Sequence, residues 1–189
     1  MIQPVDIKGF FYAESLRGVM GSLYTAQIPM KAYRVWFKLN SKTVIQVATP
    51  SGLTDKGEAG ELCGQGSGGA SLASQLDIDL GIKNYFENSQ DEANYGSVRI
   101  QPQTFQDDIQ RCAKNVSEAR VGNMKLYPML SERLLSCHPK KTCFVILGNK
   151  KYKEQIRKEL EVSPLRFREF EMKEKEQDIY LGEVLSSRG

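Results

Sequence analysis

Two aspartates stand side by side inside a stretch that otherwise reads as β-strand: Phe105-Gln106-Asp107-Asp108-Ile109. No other segment narrows so far what the chain can build. Like charges a few ångströms apart repel, and one carboxyl keeps its proton unless a cation joins the pair. The flanking apolar and β-forming residues predict two strands, 97–104 and 105–113, enclosing a turn at the acids. A divalent metal removes the electrostatic conflict. Mg²⁺ takes oxygen ligands, commonly one or two carboxylates together with phosphate oxygens. The other reading of the same residues is a solvated hairpin turn, where acids are frequent.

Two further segments carry chemistry. Asp6, in Val5-Asp6-Ile7-Lys8-Gly9-Phe10-Phe11, ends an apolar strand start and precedes an aromatic pair. Taken alone, such an aspartate caps the helix that follows. The run Gly64-Gln65-Gly66-Ser67-Gly68-Gly69 opens a helix. Glycines there let the backbone approach a ligand, and the helix N-terminus favours an anion. No GKS or GKT follows, so the run is not a P-loop. A flexible turn is the equal alternative.

The formal net charge of +3 decides nothing, but its distribution is uneven. Residues 1–110 hold 9 basic and 12 acidic side chains, whereas residues 111–189 hold 17 and 11. Between His138 and Lys158 stand seven basic residues (Lys140, Lys141, Lys150, Lys151, Lys153, Arg157 and Lys158) against the single acid Glu154. Such a segment suits a polyanion; it also suits a solvated helix face. Cys63, Cys112, Cys137 and Cys143 form no CxxC pair, and with His138 as the only histidine the usual zinc spacings cannot be met. Reduced thiols in an intracellular protein are expected. No apolar run approaches the length of a membrane-spanning helix, and the N-terminus does not read as a secretory signal.

Periodicity predicts alternating elements. A strand is expected over 2–7, helices over 14–24 (Leu16, Val19, Met20, Leu23) and 30–39 (Tyr33, Trp36, Phe37), and a strand over 43–50. After the Gly-rich stretch come a helix over 70–86, with Leu72, Leu76 and Leu80 repeating, and the acidic hairpin. A helix over 115–136 (Leu126, Leu130, Leu134), a strand over 142–148, a charged helix over 150–160 and strands near 165–171 and 178–185 complete the chain. The class is α+β, with a mostly antiparallel sheet carrying the Asp-Asp hairpin and helices packed on one face.

The order of these segments resembles the palm of reverse transcriptases from non-LTR (LINE-type) retrotransposons, over nearly the whole chain. Asp6 to Phe11 is similar to the first palm motif, and Gln65-Gly66 with its helix to the second. Phe105 to Asp108 is similar to the catalytic hairpin, Leu134 to Lys141 with the next strand to the fourth motif, and Tyr180-Leu181-Gly182 to the fifth, which abuts the primer. The resemblance divides the chain into palm with motifs A to C and the following helix over 1–136, and C-terminal palm with the start of the thumb connection over 137–189.

It implies an RNA-directed DNA polymerase using an RNA template, a DNA primer and deoxynucleoside triphosphates. Asp6, Asp107 and Asp108 would bind two Mg²⁺ ions, with Mn²⁺ as a substitute. One ion would act at the primer 3′-hydroxyl and the other at the leaving pyrophosphate. Phe11 falls at the steric gate that excludes a 2′-hydroxyl. Gln65 and Gly66 would line the incoming nucleotide. Lys141 matches the lysine that protonates pyrophosphate, and Tyr180, Leu181 and Gly182 would contact the primer.

Four departures qualify the match. Tyr12 stands where the family commonly has a second aspartate, and Gln106 replaces a small residue. Pro128 falls inside a predicted helix, where proline costs about 3 kcal/mol. Asp6 lies close behind Met1, so the fingers, the rest of the thumb, an endonuclease and an RNase H are expected to be missing. The alternative reading is a catalytically inactive remnant that keeps the fold and binds nucleic acid.

Overall fold

The computed structural model of the chain describes residues 1–41, 43–60, 69–87, 93–95, 98–181 and 183–187. In chain order its elements are β1 (Ile2–Asp6), α1 (Phe10–Ala13), α2 (Leu16–Thr25), α3 (Met30–Asn40), β2 (Thr43–Ile45), β3 (Ala48–Thr49), β4 (Gly52–Leu53) and β5 (Gly57–Gly60). Then follow α4 (Ala70–Phe86), β6 (Ala93–Tyr95), β7 (Val98–Ile100), β8 (Gln103–Phe105), β9 (Asp108–Cys112), α5 (Val116–Glu132), β10 (Cys143–Phe144) and α6 (Lys150–Val162). The chain ends in β11 (Arg166–Phe167), β12 (Phe170–Glu171), β13 (Lys173–Glu174), β14 (Gln177–Tyr180) and β15 (Glu183–Ser186). These elements form two compact units: Gly9–Leu80, and Met1–Lys8 together with Gly81–Gly189.

The second unit carries an antiparallel sheet in the order β1-β9-β8. A bridge between Ile2 and Val145 adds the end of the 143–145 segment to the free edge of β1. Two backbone hydrogen bonds close that bridge, Ile2 N to Val145 O at 2.9 Å and Val145 N to Ile2 O at 2.8 Å. β10 also pairs with β13, in parallel, so the pairing is mostly but not wholly antiparallel.

Side chains alternate between the faces of a strand, and cross-strand partners share a face. Val5 opposes Ile109 and Gln3 opposes Arg111, and all four are buried. On the other face Asp6 opposes Asp108, and both are only half-buried.

Helices cover the closed face. Arg111 reaches from β9 toward α5, where its Nη1 donates to Asn123 Oδ1 at 2.8 Å, and its guanidinium carbon lies 5.8 Å from the centre of the Phe86 ring at the end of α4. Gly122 makes room for this: a Cβ there would lie 1.3 Å from Arg111 Nη2. Ile109, Leu126, Met129 and Leu130 are buried too. Each such side chain contributes roughly 1.5–3 kcal/mol when fully buried. α5 begins at Asn115, whose Oδ1 accepts from Glu118 N at 2.8 Å, while Glu118 Oε2 accepts from Lys114 N at 2.8 Å. These reciprocal bonds satisfy donors that a helix N-terminus otherwise leaves open. The helix continues through Pro128 and stops at Glu132, so Leu134 falls beyond it at φ 61° and 70% exposure instead of joining the Leu126–Leu130 stripe.

In the first unit α2 buries Leu16, Val19, Met20 and Leu23, the stripe its periodicity predicts. α3 forms where expected, but Asn40 is its buried residue and Phe37 is 43% exposed. α4 has the predicted limits yet turns a different face inward. Leu72 is 77% exposed, while Ala73, Ser74, Asp77 and Ile78 are buried. The reason is polar: Ser74 Oγ donates to the buried Glu14 carboxylate, and Ser22 Oγ donates to Asp77. Buried carboxylates require such donors, and that requirement sets the rotation of the helix against the leucine repeat. The strand expected over 43–50 is divided into β2 and β3, and those expected over 165–171 and 178–185 are the hairpins β11–β12 and β14–β15.

Candidate catalytic centre on the open sheet face

Asp6 and Asp108 are direct cross-strand partners at the end of the β1–β9 ladder. Ile7 N donates to Asp107 O at 2.8 Å, one residue beyond the pair. Asp6 and Asp108 therefore form the non-hydrogen-bonded type of antiparallel pair, in which Cα atoms approach to about 4.5 Å and side chains lie closest. Asp107 is in the adjoining turn. That turn is centred one residue earlier than the sequence predicts. Phe105 pairs with Asp108, leaving Gln106 and Asp107 as a two-residue loop, and Asp108 belongs to β9. Gln106 takes φ 54°. Tight hairpins need a positive φ at this position to match the twist of the strands, and a residue with a Cβ bears about 1–2 kcal/mol for it.

The 136–142 segment wraps the end of β1. Lys8 N donates to Ser136 O at 2.8 Å, His138 N to Asp6 O at 2.8 Å, and Asp6 N to Thr142 Oγ1 at 3.4 Å. A turn closed by Thr142 N to His138 O at 2.9 Å brings Lys141 back over the carboxylates. Its Nζ lies 2.9 Å from Asp6 Oδ2, with the aspartate side chain 14% exposed and the lysine 63%. The hydrogen bond to Asp6, and then its charge, hold the Lys141 ammonium above its usual range, with Asp107 and Asp108 adding to the effect. The Asp108 carboxyl is also held above the ordinary carboxylate range. Burial is the first cause, the charges of Asp107 and Asp6 the next, and Lys141 acts against them. Three like charges thus share one corner with one ammonium.

Tyr180 reaches the same corner. Burial, followed by the charge of Asp108, raises its phenol above the usual value. It ends β14, whose Asp178 also bears on Asp108. Asp178 is held twice: Cys143 Sγ donates to Oδ2 at 3.2 Å, and Lys175 Nζ lies 3.0 Å from Oδ1. Leu181 stands at φ 49° in the β14–β15 turn and is 52% exposed. Nothing in the sequence marks Asp178, Lys175 or Thr142 for this corner, and Cys143 reads there only as a reduced thiol. A lone acid in Gln177-Asp178-Ile179 carries no local signature, and only the approach of β14 to β10 gives it a role. Gln65, Gly66, Gly182 and the side chain of Phe11 lie outside the described residues.

Three carboxylates stand at this sheet corner, and Asp108 is held toward its protonated form first by burial and then by the charges of Asp107 and Asp6. Among the described residues no three His, Cys, Asp or Glu side chains are gathered around a single ion position, and Asp6 is engaged by Lys141. Comparison with protein-family models and with curated proteins finds no match. Among the described residues no helix is long and apolar enough to cross a membrane.

Proposed function

We propose that the chain is the palm of an RNA-directed DNA polymerase of the non-LTR retrotransposon type, extending a DNA primer on an RNA template. One observation carries this reading: Asp6 and Asp108 are cross-strand partners on the open face, with Asp107 in the adjoining turn. Two acids far apart in sequence meet on adjacent strands, which supports this reading. Asp6, Asp107 and Asp108 would hold the divalent ions, which when bound supply charge neutralisation at the primer hydroxyl and at the departing pyrophosphate.

The protein's own groups have distinct tasks. Asp6 and Asp108 set the charge of the corner. Lys141, whose proton is retained by the bond to Asp6, would serve as the donor to a departing phosphate. Tyr180 stays a neutral phenol and offers a hydrogen bond beside Asp108. Phe105 and Gln110 flank the acids on the same face and present a surface to a primer end. By the resemblance, Phe11 would bar a 2′-hydroxyl and Gln65 and Gly66 would meet the incoming nucleotide.

The second reading is a non-catalytic remnant that binds nucleic acid. The Lys141–Asp6 ion pair favours it, because it already neutralises the acid that the first reading needs for metal. Primer extension separates the two. The purified chain is incubated with a labelled DNA primer on an RNA template, deoxynucleoside triphosphates and Mg²⁺. Addition of nucleotides that falls roughly 100-fold in Asp107→Asn and Asp108→Asn supports the polymerase. No addition, or addition equal in the variants, refutes it.

A further inference from the structure

A cleft of about 510 Å³, lined by none of the carboxylates of the corner, lies between α5 and the β11–β12 hairpin. One stripe of α5 forms its wall: Arg120, Asn123, Met124 and Tyr127, at the i, i+3, i+4 and i+7 positions of a helix. Arg166 and Arg168 of the β11–β12 hairpin form the other side. Three guanidinium groups line this cleft and no acidic side chain does. None of the three pairs with a carboxylate among the described residues. Glu171, which opposes Arg166 across the hairpin, lines the neighbouring cleft instead.

These groups are held in place. Arg120 donates to Ser163 O, and Asn123 Nδ2 donates to Arg166 O at 3.0 Å, tying the hairpin to the helix. Arg168 occupies the tip of the hairpin at φ 39°, a conformation that glycine adopts more easily. There its guanidinium carbon lies 4.4 Å from the centre of the Tyr127 ring and its Nη1 donates to Tyr127 Oη. Phe167 packs edge-on against Tyr127 with ring centres 6.3 Å apart, and stacks on Phe170 at 5.8 Å. The result is a fixed plane of guanidinium on phenol at the mouth of the cleft, beside Met124, which is 75% exposed.

Cations gathered without acids repel one another unless an anion joins them. Guanidinium recognises phosphate by paired hydrogen bonds, and a base stacks on a guanidinium or aromatic plane whatever its sequence. We infer that this cleft binds a segment of single-stranded nucleic acid, with phosphates on Arg120 and Arg166 and a base against Arg168. The cleft shares no lining residue with the carboxylate corner, so the inference goes beyond the polymerase reading and does not depend on it. A neutral or basic ligand leaves the three charges uncompensated.

The test is fluorescence anisotropy of a labelled oligouridylate of about 20 nucleotides, titrated with the whole chain across a salt series in EDTA, where metal-dependent chemistry is silent. Arg168→Gly keeps the turn, since glycine suits its φ, and removes the guanidinium. Arg166→Glu with Arg168→Glu removes one phosphate contact and the stacking plane. Both should weaken binding roughly tenfold or more at low salt with an unchanged thermal melt, and the double variant should flatten the salt slope by about 0.7. Lys150→Glu with Lys151→Glu, on the exposed face of α6, serves as the charge-matched control. Unchanged binding in the arginine variants overturns the inference, as does loss confined to the lysine variant. Complete competition by millimolar ATP would make the cleft a free-nucleotide site, and preference for polyglutamate a docking site for acidic protein. Either result overturns the assignment.

Discussion

Replacing Asp108 with asparagine should stabilise the protein in the absence of divalent metal and weaken its response to metal. Asp6 and Asp108 are directly opposed, with Cα atoms at the closer of the two antiparallel spacings. Two unit charges about 5 Å apart repel by about 0.8 kcal/mol at the dielectric constant of water and about 1.7 kcal/mol at half that value. Lys141 offsets part of this, and solvent screens an exposed corner, so Asp108→Asn should gain about 1 kcal/mol. For a chain of this size that is a rise in Tm of about 2–4 °C. The sign with pH follows from the raised Asp108 carboxyl. The folded state binds the proton more readily than the unfolded state. The repulsion is therefore fully present above the folded-state value and is relieved as pH falls through it toward the unfolded value. The advantage of the variant should shrink over that window. The proposed metal should reverse the comparison. If it binds at this corner, Mg²⁺ at ten times its Kd should stabilise the parent by about 1.4 kcal/mol, and the variant by less. Thermal melts in EDTA and in Mg²⁺, from neutral pH down through the acid range, give all four quantities. A variant less stable than the parent in EDTA would refute the electrostatic reasoning. An equal shift with Mg²⁺ in both proteins would remove Asp108 from the metal site.

Gly122→Ala should cost about 3 kcal/mol, because the new Cβ falls on the Arg111 guanidinium and ejects a buried cation from its bond to Asn123. Chemical denaturation measures this, and Arg111→Met in the same chain should recover much of the loss. Burial, with the charge of Asp6 at Cys137 and the bond to Asp178 at Cys143, pushes both thiols up to about 12. Both should therefore resist iodoacetamide at neutral pH in the folded protein and react in denaturant, as mass spectrometry of labelled peptides will show. Phe11→Val should raise ribonucleotide incorporation relative to deoxynucleotide in the primer-extension assay; an unchanged ratio would make Phe11 a packing residue.

The local pattern of the chain was enough to predict that Ala70–Phe86 and Val116–Glu132 are helices, that Ile2–Asp6 is a strand, and that a tight hairpin carries Asp107 and Asp108. These follow from periodicity, capping and turn chemistry within a few residues, where sequence neighbours are also spatial neighbours. Which face of a helix turns inward is another matter. The leucines of α4 repeat every fourth residue, yet Leu72 is exposed, because Ser74 and Asp77 must meet the buried Glu14 and Ser22 of a distant segment. The acidic corner divides in the same way. Residue type marked Asp6, Asp107 and Asp108 as chemistry-bearing and the resemblance singled out Lys141, but no local signal could pair Asp6 with Asp108 or bring Lys141 to 2.9 Å from Asp6. Register does that: a shift of one residue in the β1–β9 ladder would send Asp6 to the closed face against Arg111 and Ile109. Gly122 falls inside the helix predicted over 115–136, and Arg166 and Arg168 inside the strand predicted near 165–171, with no signal that singles out any of the three. Their roles arise only where β9 and the β11–β12 hairpin meet α5, because packing and charge compensation act across space between residues that the chain keeps far apart.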